Sequence, residues 1–132
     1  MNDPGILHLL VVFVGGAIGG MARFAVASFI DRVSAGTFPW GTLGVNVSGS
    51  ALIGLFAALL LREADAGTEG LRWTLLAIGI VGSYTTVSSF SLQTLALARS
   101  GRIAAASANV VASLVLCLAA TVCGFVIGTG IL

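Results

Sequence analysis

Seven hydroxyl side chains lie within ten consecutive residues of this chain, in the segment Gly82-Ser-Tyr-Thr-Thr-Val-Ser-Ser-Phe-Ser91. They interrupt an apolar stretch, residues 71–98, whose one charged residue is Arg72. Because about 20 apolar residues at ~1.5 Å each span the hydrocarbon core of a bilayer, this stretch predicts a membrane-spanning helix. The hydroxyl groups are then expected at membrane depth, which makes the segment a candidate site for an ion or a polar substrate.

The same segment predicts a break in that helix near residues 82–86. Ser and Thr side chains compete with the helix for backbone hydrogen bonds, and Gly82 weakens the helix where the cluster begins. Irregular backbone inside a membrane persists only where protein or a water-filled cavity satisfies its polar groups. A broken helix offers the carbonyl groups of its first half to a cation, and the N–H groups and positive dipole end of its second half to an anion.

The composition indicates an integral, multi-pass membrane protein. Of 132 residues, 58% are hydrophobic and 8% are charged, whereas a soluble domain carries about 25% charged residues. Four stretches are long and apolar enough to cross a bilayer, and they predict a single all-α, four-helix transmembrane domain over residues 1–132. The predicted helices cover residues 6–30, 40–61, 72–98 and 103–131. The connections are too short to fold as domains, so the function is expected within the membrane.

Several functional classes lack the residues they need. The net charge of +1 argues against a nucleic-acid partner. The chain has one histidine, the peripheral His8, and no His/Cys spacing typical of a metal site, so an enzyme is not expected. Proton-coupled export of cations usually requires a carboxylate inside the membrane. All five acidic residues fall outside the predicted spans: Asp3, Asp31, Glu63, Asp65 and Glu69.

Two further rows of polar side chains are predicted on helix faces. Thr42, Asn46 and Ser50 recur every four residues on the second helix. The same spacing on the fourth helix aligns Asn109, Ser113, Cys117 and Thr121. Such rows often hold helices together by hydrogen bonds worth about 0.6–2 kcal/mol in a membrane. With the hydroxyl-rich break they also fit a shared polar path for a small anion, because they offer neutral hydrogen-bond donors.

The first helix carries glycine-rich faces and one deeply placed cation. Gly15 and Gly19, and likewise Gly16 and Gly20, are spaced so that another helix can approach closely. Arg23 follows them inside the span, where a charge costs about 3 kcal/mol or more unless it is paired or reaches the interface. Arg23 either attracts anions or anchors the helix at the membrane surface, and the sequence leaves both open.

The arginines of the connections give almost no preference for one orientation. If both termini lie on one side, that side holds Arg62 and Arg72, and the other side holds Arg32, Arg99 and Arg102. Two against three is nearly a tie under the positive-inside rule. The chain is expected either to insert in both orientations, which permits an antiparallel homodimer, or to keep one orientation set by Arg99 and Arg102.

Three motifs resemble the signatures of the Fluc (CrcB-type) fluoride channels, small four-helix bacterial membrane proteins. They are Gly15-Gly-Ala-Ile-Gly-Gly-Met-Ala-Arg-Phe24, Pro39-Trp-Gly-Thr-Leu-Gly-Val-Asn46 and Thr85-Thr-Val-Ser-Ser-Phe-Ser91. The resemblance covers nearly the whole chain. It implies a fluoride-selective channel that passively exports fluoride across the bacterial inner membrane, as a dual-topology antiparallel homodimer with two pores. It also implies a structural sodium ion at the dimer centre.

The resemblance assigns roles to individual positions. Sodium would be bound by the backbone carbonyl groups of Gly82 and Thr85, contributed by both subunits. The anion pathway would consist of Asn46, Thr42, Phe90, Ser88, Ser89, Asn109, Ser113 and Cys117.

The chain departs from the family at two positions. Val87 stands where the family has a phenylalanine, and Cys117 stands where a hydroxyl is common. An aliphatic side chain has no positive ring edge to offer an anion, so conduction is expected to be slower or the anion path rerouted.

Two other functions remain open at the level of sequence. A small dual-topology multidrug or cation exporter also has four helices, although it needs the embedded carboxylate that this chain lacks. A non-transporting membrane subunit would use its polar rows only to hold helices together.

Overall fold

The computed structural model describes residues 4–34, 36–61 and 69–130, and these residues form an all-helical bundle. Four of its segments are long and apolar enough to cross a membrane, namely Gly5–Ser34, Trp40–Leu60, Gly70–Arg99 and Ile103–Gly130. The first, second and last correspond to the helices α1 (Pro4–Ser34), α2 (Trp40–Leu61) and α6 (Ile103–Gly130).

The helix bounds differ from the predicted ones by a few residues, and most at the end of α1. This helix continues to Ser34, one turn beyond the predicted end at Ile30. In this last turn an Asp31 Oδ1 accepts a hydrogen bond of 2.7 Å from the Gly41 N–H at the start of α2. Because this bond ties the two helices together beyond the apolar stretch, α1 stays helical there. Residue 131, the predicted end of the fourth helix, lies outside the described residues.

The third span consists of four helical pieces. These are α3 (Glu69–Trp73), an eight-residue π-helix (Thr74–Val81), the single turn α4 (Gly82–Tyr84) and α5 (Val87–Arg99). Between α4 and α5 the backbone is extended, with ψ 161° at Thr85 and φ −152° at Thr86. The break therefore falls inside the predicted range 82–86, but at its end.

Gly82 does not open the helix, contrary to the expectation from its residue type. It has helical angles, φ −60° and ψ −35°, and the backbone N–H groups at this helix end donate to the carbonyl groups of Ala77 and Gly79. The π-helix before it was not predicted, and π-turns inside α-helices are frequent at functional sites.

Glycines bring α1 against the π-helix, as their spacing predicts. A Cβ added to Gly15 would lie 3.0 Å from the Gly79 Cα, and one added to Gly19 would overlap the Ile80 carbonyl oxygen. At Gly20 an added Cβ would meet nothing within 4 Å. The face formed by Gly15 and Gly19 therefore makes the close approach.

A second glycine contact, which we call the α2–α6 seam, holds α2 against α6. An added Cβ at Gly54 would overlap the Thr121 carbonyl oxygen, and one at Gly124 would overlap that of Ala51. Beside these contacts α2 also contributes the buried Leu43 and Val45. The second helix is thus the centre of the bundle, and the broken third span packs against it.

Candidate functional site

The break in the third span is held by one side chain of α2. The Asn46 Nδ2 donates to the Thr86 carbonyl oxygen at 2.9 Å, and the Thr86 N–H donates to Asn46 Oδ1 at 2.8 Å. One amide side chain thus replaces the helical partner of the Thr86 N–H and gives a further donor to the Thr86 carbonyl, which as the N-cap carbonyl already accepts the first bond of α5. This satisfies the irregular backbone inside the span, and the second N–H of Asn46 Nδ2 is left over for another acceptor.

The side chain of Thr86 restarts the helix after the break. Its Oγ1 accepts the Ser89 N–H at 3.2 Å, which is the N-cap geometry for α5. The same hydroxyl lies 3.1 Å from the Ser88 hydroxyl and donates to the Ser89 hydroxyl at 3.3 Å. Three hydroxyl groups therefore meet at the positive end of α5.

Each of these side-chain bonds takes up a backbone N–H group. In an unbroken helix the same N–H would donate to a backbone carbonyl four residues earlier. The Thr86 N–H would reach the Gly82 carbonyl, but it goes to Asn46. The Ser89 N–H would reach the Thr85 carbonyl, but it goes to Thr86 Oγ1. The Thr85 carbonyl instead accepts a hydrogen bond of 3.3 Å from Arg23 Nη1. The predicted sodium ligands, Gly82 and Thr85, are thus the carbonyl groups whose helical donors are diverted.

A cavity of about 510 Å³, which we call the central groove, lies between α2, the π-helix, α5 and α6. Among the described residues, those lining it carry no charge. The buried Ser113 Oγ has no hydrogen-bond partner among these residues, so it can still donate or accept. Six of the predicted site residues line the central groove: Asn46, Gly82, Thr85, Phe90, Ser113 and Cys117.

A second cavity of about 290 Å³, the lateral groove, lies between α1, α2 and α5. Three other predicted site residues line it: Arg23, Thr42 and Ser89. Thr86 lines both cavities, so the break separates the lateral groove, with its arginine, from the uncharged central groove.

Two predicted pathway residues line neither groove. Ser88 is exposed, and its hydroxyl contacts Thr86. Asn109 is 2% exposed, and its Nδ2 donates to Thr94 Oγ1 at 2.8 Å.

Two residues of the site were not singled out from the sequence. Thr86 caps α5 and faces both grooves, although the sequence places it in the break. Gln93 lines the lateral groove, and its buried Oε1 has no hydrogen-bond partner among the described residues. The sequence does contain a signal for Gln93, because this polar residue follows Ser89 by one helical turn inside an apolar span.

Comparison with known proteins places this arrangement in a family. The profile of the family described as "CrcB-like protein, Camphor Resistance (CrcB)" matches residues 10–125. The chain belongs to the CrcB-like family. The matched range includes every residue that lines either groove.

Curated relatives of this CrcB-like chain resemble it over nearly their whole length. The "Fluoride-specific ion channel FluC 2" of Bradyrhizobium diazoefficiens is 44% identical over 93% of this chain and 90% of its own length. The "Fluoride-specific ion channel FluC" of Paramagnetospirillum magneticum is 48% identical over 94% and 97%. A "Fluoride-specific ion channel FluC 2" of Rhodopseudomonas palustris is 50% identical over 91% and 92%.

Proposed function

We propose that this CrcB-like protein is a fluoride-selective ion channel that lets fluoride leave the cell passively. Beside the relatives bearing that name, one structural observation carries the proposal. Asn46 holds the break in the third span beside a largely apolar, uncharged groove that contains a few neutral hydrogen-bond donors. Fluoride is strongly hydrated, so a path for it must replace water with donors and still release the ion, which neutral donors do better than a fixed cation.

The two grooves suggest the order in which an anion meets these groups. The lateral groove holds both Arg23 and Asp31, and Arg23 is the one bonded to the break, through the Thr85 carbonyl, so it raises the anion concentration there. The hydroxyl groups at the start of α5 and the second N–H of Asn46 then take over at the break. In the central groove the positive ring edge of Phe90 and the unpartnered Ser113 hydroxyl continue the path.

A second copy of the chain completes the path in this proposal. Gly82, Ser88 and Ser91 are exposed near the middle of the third span, and Val87 is 76% exposed. Polar groups at that depth do not face lipid, so a protein surface must cover them. The near tie between arginines on the two sides permits an oppositely inserted copy, and the homodimer is therefore antiparallel.

The residues at the break fit a sodium ion at the centre of that dimer. Sodium is a hard cation and prefers oxygen ligands, and the carbonyl groups of Gly82 and Thr85 have their helical donors diverted. When bound, the ion would neutralise the negative ends of these carbonyl dipoles and hold the two breaks together. The carbonyl group of Thr85 has two lone pairs, so it can accept from Arg23 and still bind a cation.

The competing functions find no support at these sites. A cation or multidrug exporter would need a carboxylate at the break, and among the described residues the central groove has none. Asp31 lines the lateral groove, but its Oδ1 accepts from the Gly41 N–H at the junction of α1 and α2. A non-transporting subunit would have its polar groups paired between helices, but the buried Ser113 hydroxyl is unpartnered in the described chain.

Efflux from liposomes tests the proposal. Purified protein is reconstituted in vesicles loaded with potassium fluoride and potassium chloride, and valinomycin lets potassium balance the charge of any anion that leaves. Both anions are followed outside with selective electrodes. We expect fluoride to leave rapidly while chloride stays inside. Vesicles that contain the folded protein and lose neither ion, or lose both at the same rate, would refute the proposal.

A further inference from the structure

Asn109 has a different role in the structure from the one expected for a residue of the anion pathway. It is buried, lines neither groove, and donates from Nδ2 to Thr94 Oγ1 at 2.8 Å. The Thr94 hydroxyl has a single hydrogen, which it donates to the Phe90 carbonyl oxygen at 2.7 Å. The chain of bonds therefore runs from α6 through Thr94 to the residue whose ring lines the central groove.

Asn109 and Thr94 lie midway along the helical hairpin formed by α5 and α6, which has a fixed end and an open end. At the fixed end, α5 turns into α6 through Ser100 and Gly101, where the Arg102 N–H donates to the Leu97 carbonyl. At the open end, α5 and α6 form two of the walls of the central groove, with Phe90 on one and Ser113 on the other.

Asn109 and Thr94 each lie one helical turn, about 6 Å, from these walls. Phe90 precedes Thr94 by four residues, and Ser113 follows Asn109 by four. Among the described residues, Asn109 to Thr94 is the one side-chain hydrogen bond that joins α5 to α6. Because extended backbone precedes α5, the helix before the break does not fix its position, and Asn46 holds its N-cap residue Thr86 against α2 rather than α6.

We propose that Asn109 is a positioning residue, which together with Thr94 fixes α5 against α6 and so sets the width of the central groove. The inference rests on the proposed function in one respect: a groove of fixed width excludes halides larger than fluoride. Without the Asn109–Thr94 bond the groove widens, and this raises the rate of chloride permeation more than that of fluoride permeation.

Asn109→Leu removes the donor and keeps the branched shape with larger end groups, and Thr94→Val removes the hydroxyl at nearly the same shape and volume. We expect either change to raise chloride efflux relative to fluoride efflux by about three- to tenfold, the range that one interhelical hydrogen bond supports. The double variant should do no more than the larger single effect, because both changes break the same bond. Thr94→Ser keeps the hydroxyl and should restore selectivity, and Ser107→Ala, on the exposed face of α6, is the matched control.

Groove width can also be measured without any ion flux. Cys117 lines the central groove, and its labelling in a Cys123→Ala background can be timed with thiol reagents of increasing size. We expect Asn109→Leu and Thr94→Val to speed labelling by the bulky reagents more than by the small ones. If Asn109 were itself a pathway donor, Asn109→Leu would lower fluoride flux and leave labelling unchanged.

These measurements separate the inference from the proposed function. Wild-type vesicles that hold their fluoride would refute the channel, while the labelling series would still decide the role of Asn109. If Asn109→Leu does not fold, Thr94→Val carries the test alone. Unchanged labelling and unchanged selectivity in folded Thr94→Val protein, or single effects that add in the double variant, would overturn the inference.

Discussion

The α2–α6 seam and the break in the third span bring backbone close to other elements by opposite means. At the seam, Gly54 and Gly124 have no side chain, so the helices approach until a Cβ would overlap a carbonyl oxygen. At the break, Asn46 reaches across and bonds to the N–H and C=O of Thr86. The seam leaves its helical backbone bonds intact, whereas the break diverts them and leaves carbonyl groups and hydroxyls available to ions. The comparison separates what holds the bundle together from what can act on an ion.

The seam should respond most strongly to a single added methyl group. In Gly124→Ala the new Cβ meets the Ala51 carbonyl oxygen, and helical backbone cannot move away as a flexible side chain can. We expect a loss of about 3 kcal/mol in unfolding free energy, or failure to fold. Thermal unfolding in detergent measures this. The control is Gly130→Ala on the same helix, where nothing lies within 4 Å and stability should not change.

The break should respond in ion flux before it responds in folding. Asn46→Asp keeps an acceptor for the Thr86 N–H, loses the donor to the Thr86 carbonyl and puts a negative charge on the proposed path. We expect fluoride efflux to fall about 100-fold, since about 1.4 kcal/mol corresponds to tenfold and a fixed like charge on the path costs about twice that. Asn46→Leu, which lacks the bonds but adds no charge, should retain more flux than Asn46→Asp. Equal efflux from Asn46→Asp and wild type would remove Asn46 from the path.

Thr86 is expected to affect both stability and ion flux, because its hydroxyl caps α5 and the residue lines both grooves. Thr86→Val removes the acceptor of the Ser89 N–H and should cost about 1 kcal/mol of stability, the usual value of an N-cap. Flux should fall along with stability. Thr86→Ser restores the hydroxyl, and we expect unfolding and efflux close to wild type. If Thr86→Val unfolds as the wild type does, the capping role is wrong.

The smallest effect is expected at Val87, where the resemblance to the Fluc channels predicts a phenylalanine. Val87 lines the central groove, on the surface that the second copy would cover. Val87→Phe would add a second positive ring edge beside Phe90 and should raise fluoride efflux by a few-fold, because such an edge contributes about 0.5–1 kcal/mol. Val87→Leu, which adds volume without an aromatic edge, is the control. Equal rates for the two variants would show that the ring edge does not matter.

Much of this architecture could be predicted because in a membrane the sequence pattern and the structure are closely linked. Four apolar stretches indicate four spans, and the hydroxyl cluster at residues 82–91 indicates irregular backbone. The exact position of the break depended on a tertiary contact, since Asn46 selects Thr86 from several neighbouring residues. Local propensity pointed to Gly82, which remains helical.

The polar rows were harder to interpret, because the same residue types serve paths and helix contacts. Ser113 and Cys117 line the central groove, while Asn109, one turn earlier on the same row, bonds to Thr94 instead. Spacing places such residues on one face but does not show what that face contacts. The residue types at positions 74–81 do not by themselves indicate the eight-residue π-helix.

The central claim is that uncharged donors around a break held by Asn46 carry fluoride and exclude chloride. Its most direct test is the reversal potential of the purified protein in a planar bilayer, with fluoride on one side and chloride on the other. We predict a potential displaced strongly toward the fluoride equilibrium value, and the loss of that current in Asn46→Asp. A reversal near zero, or at the chloride value, would contradict the account.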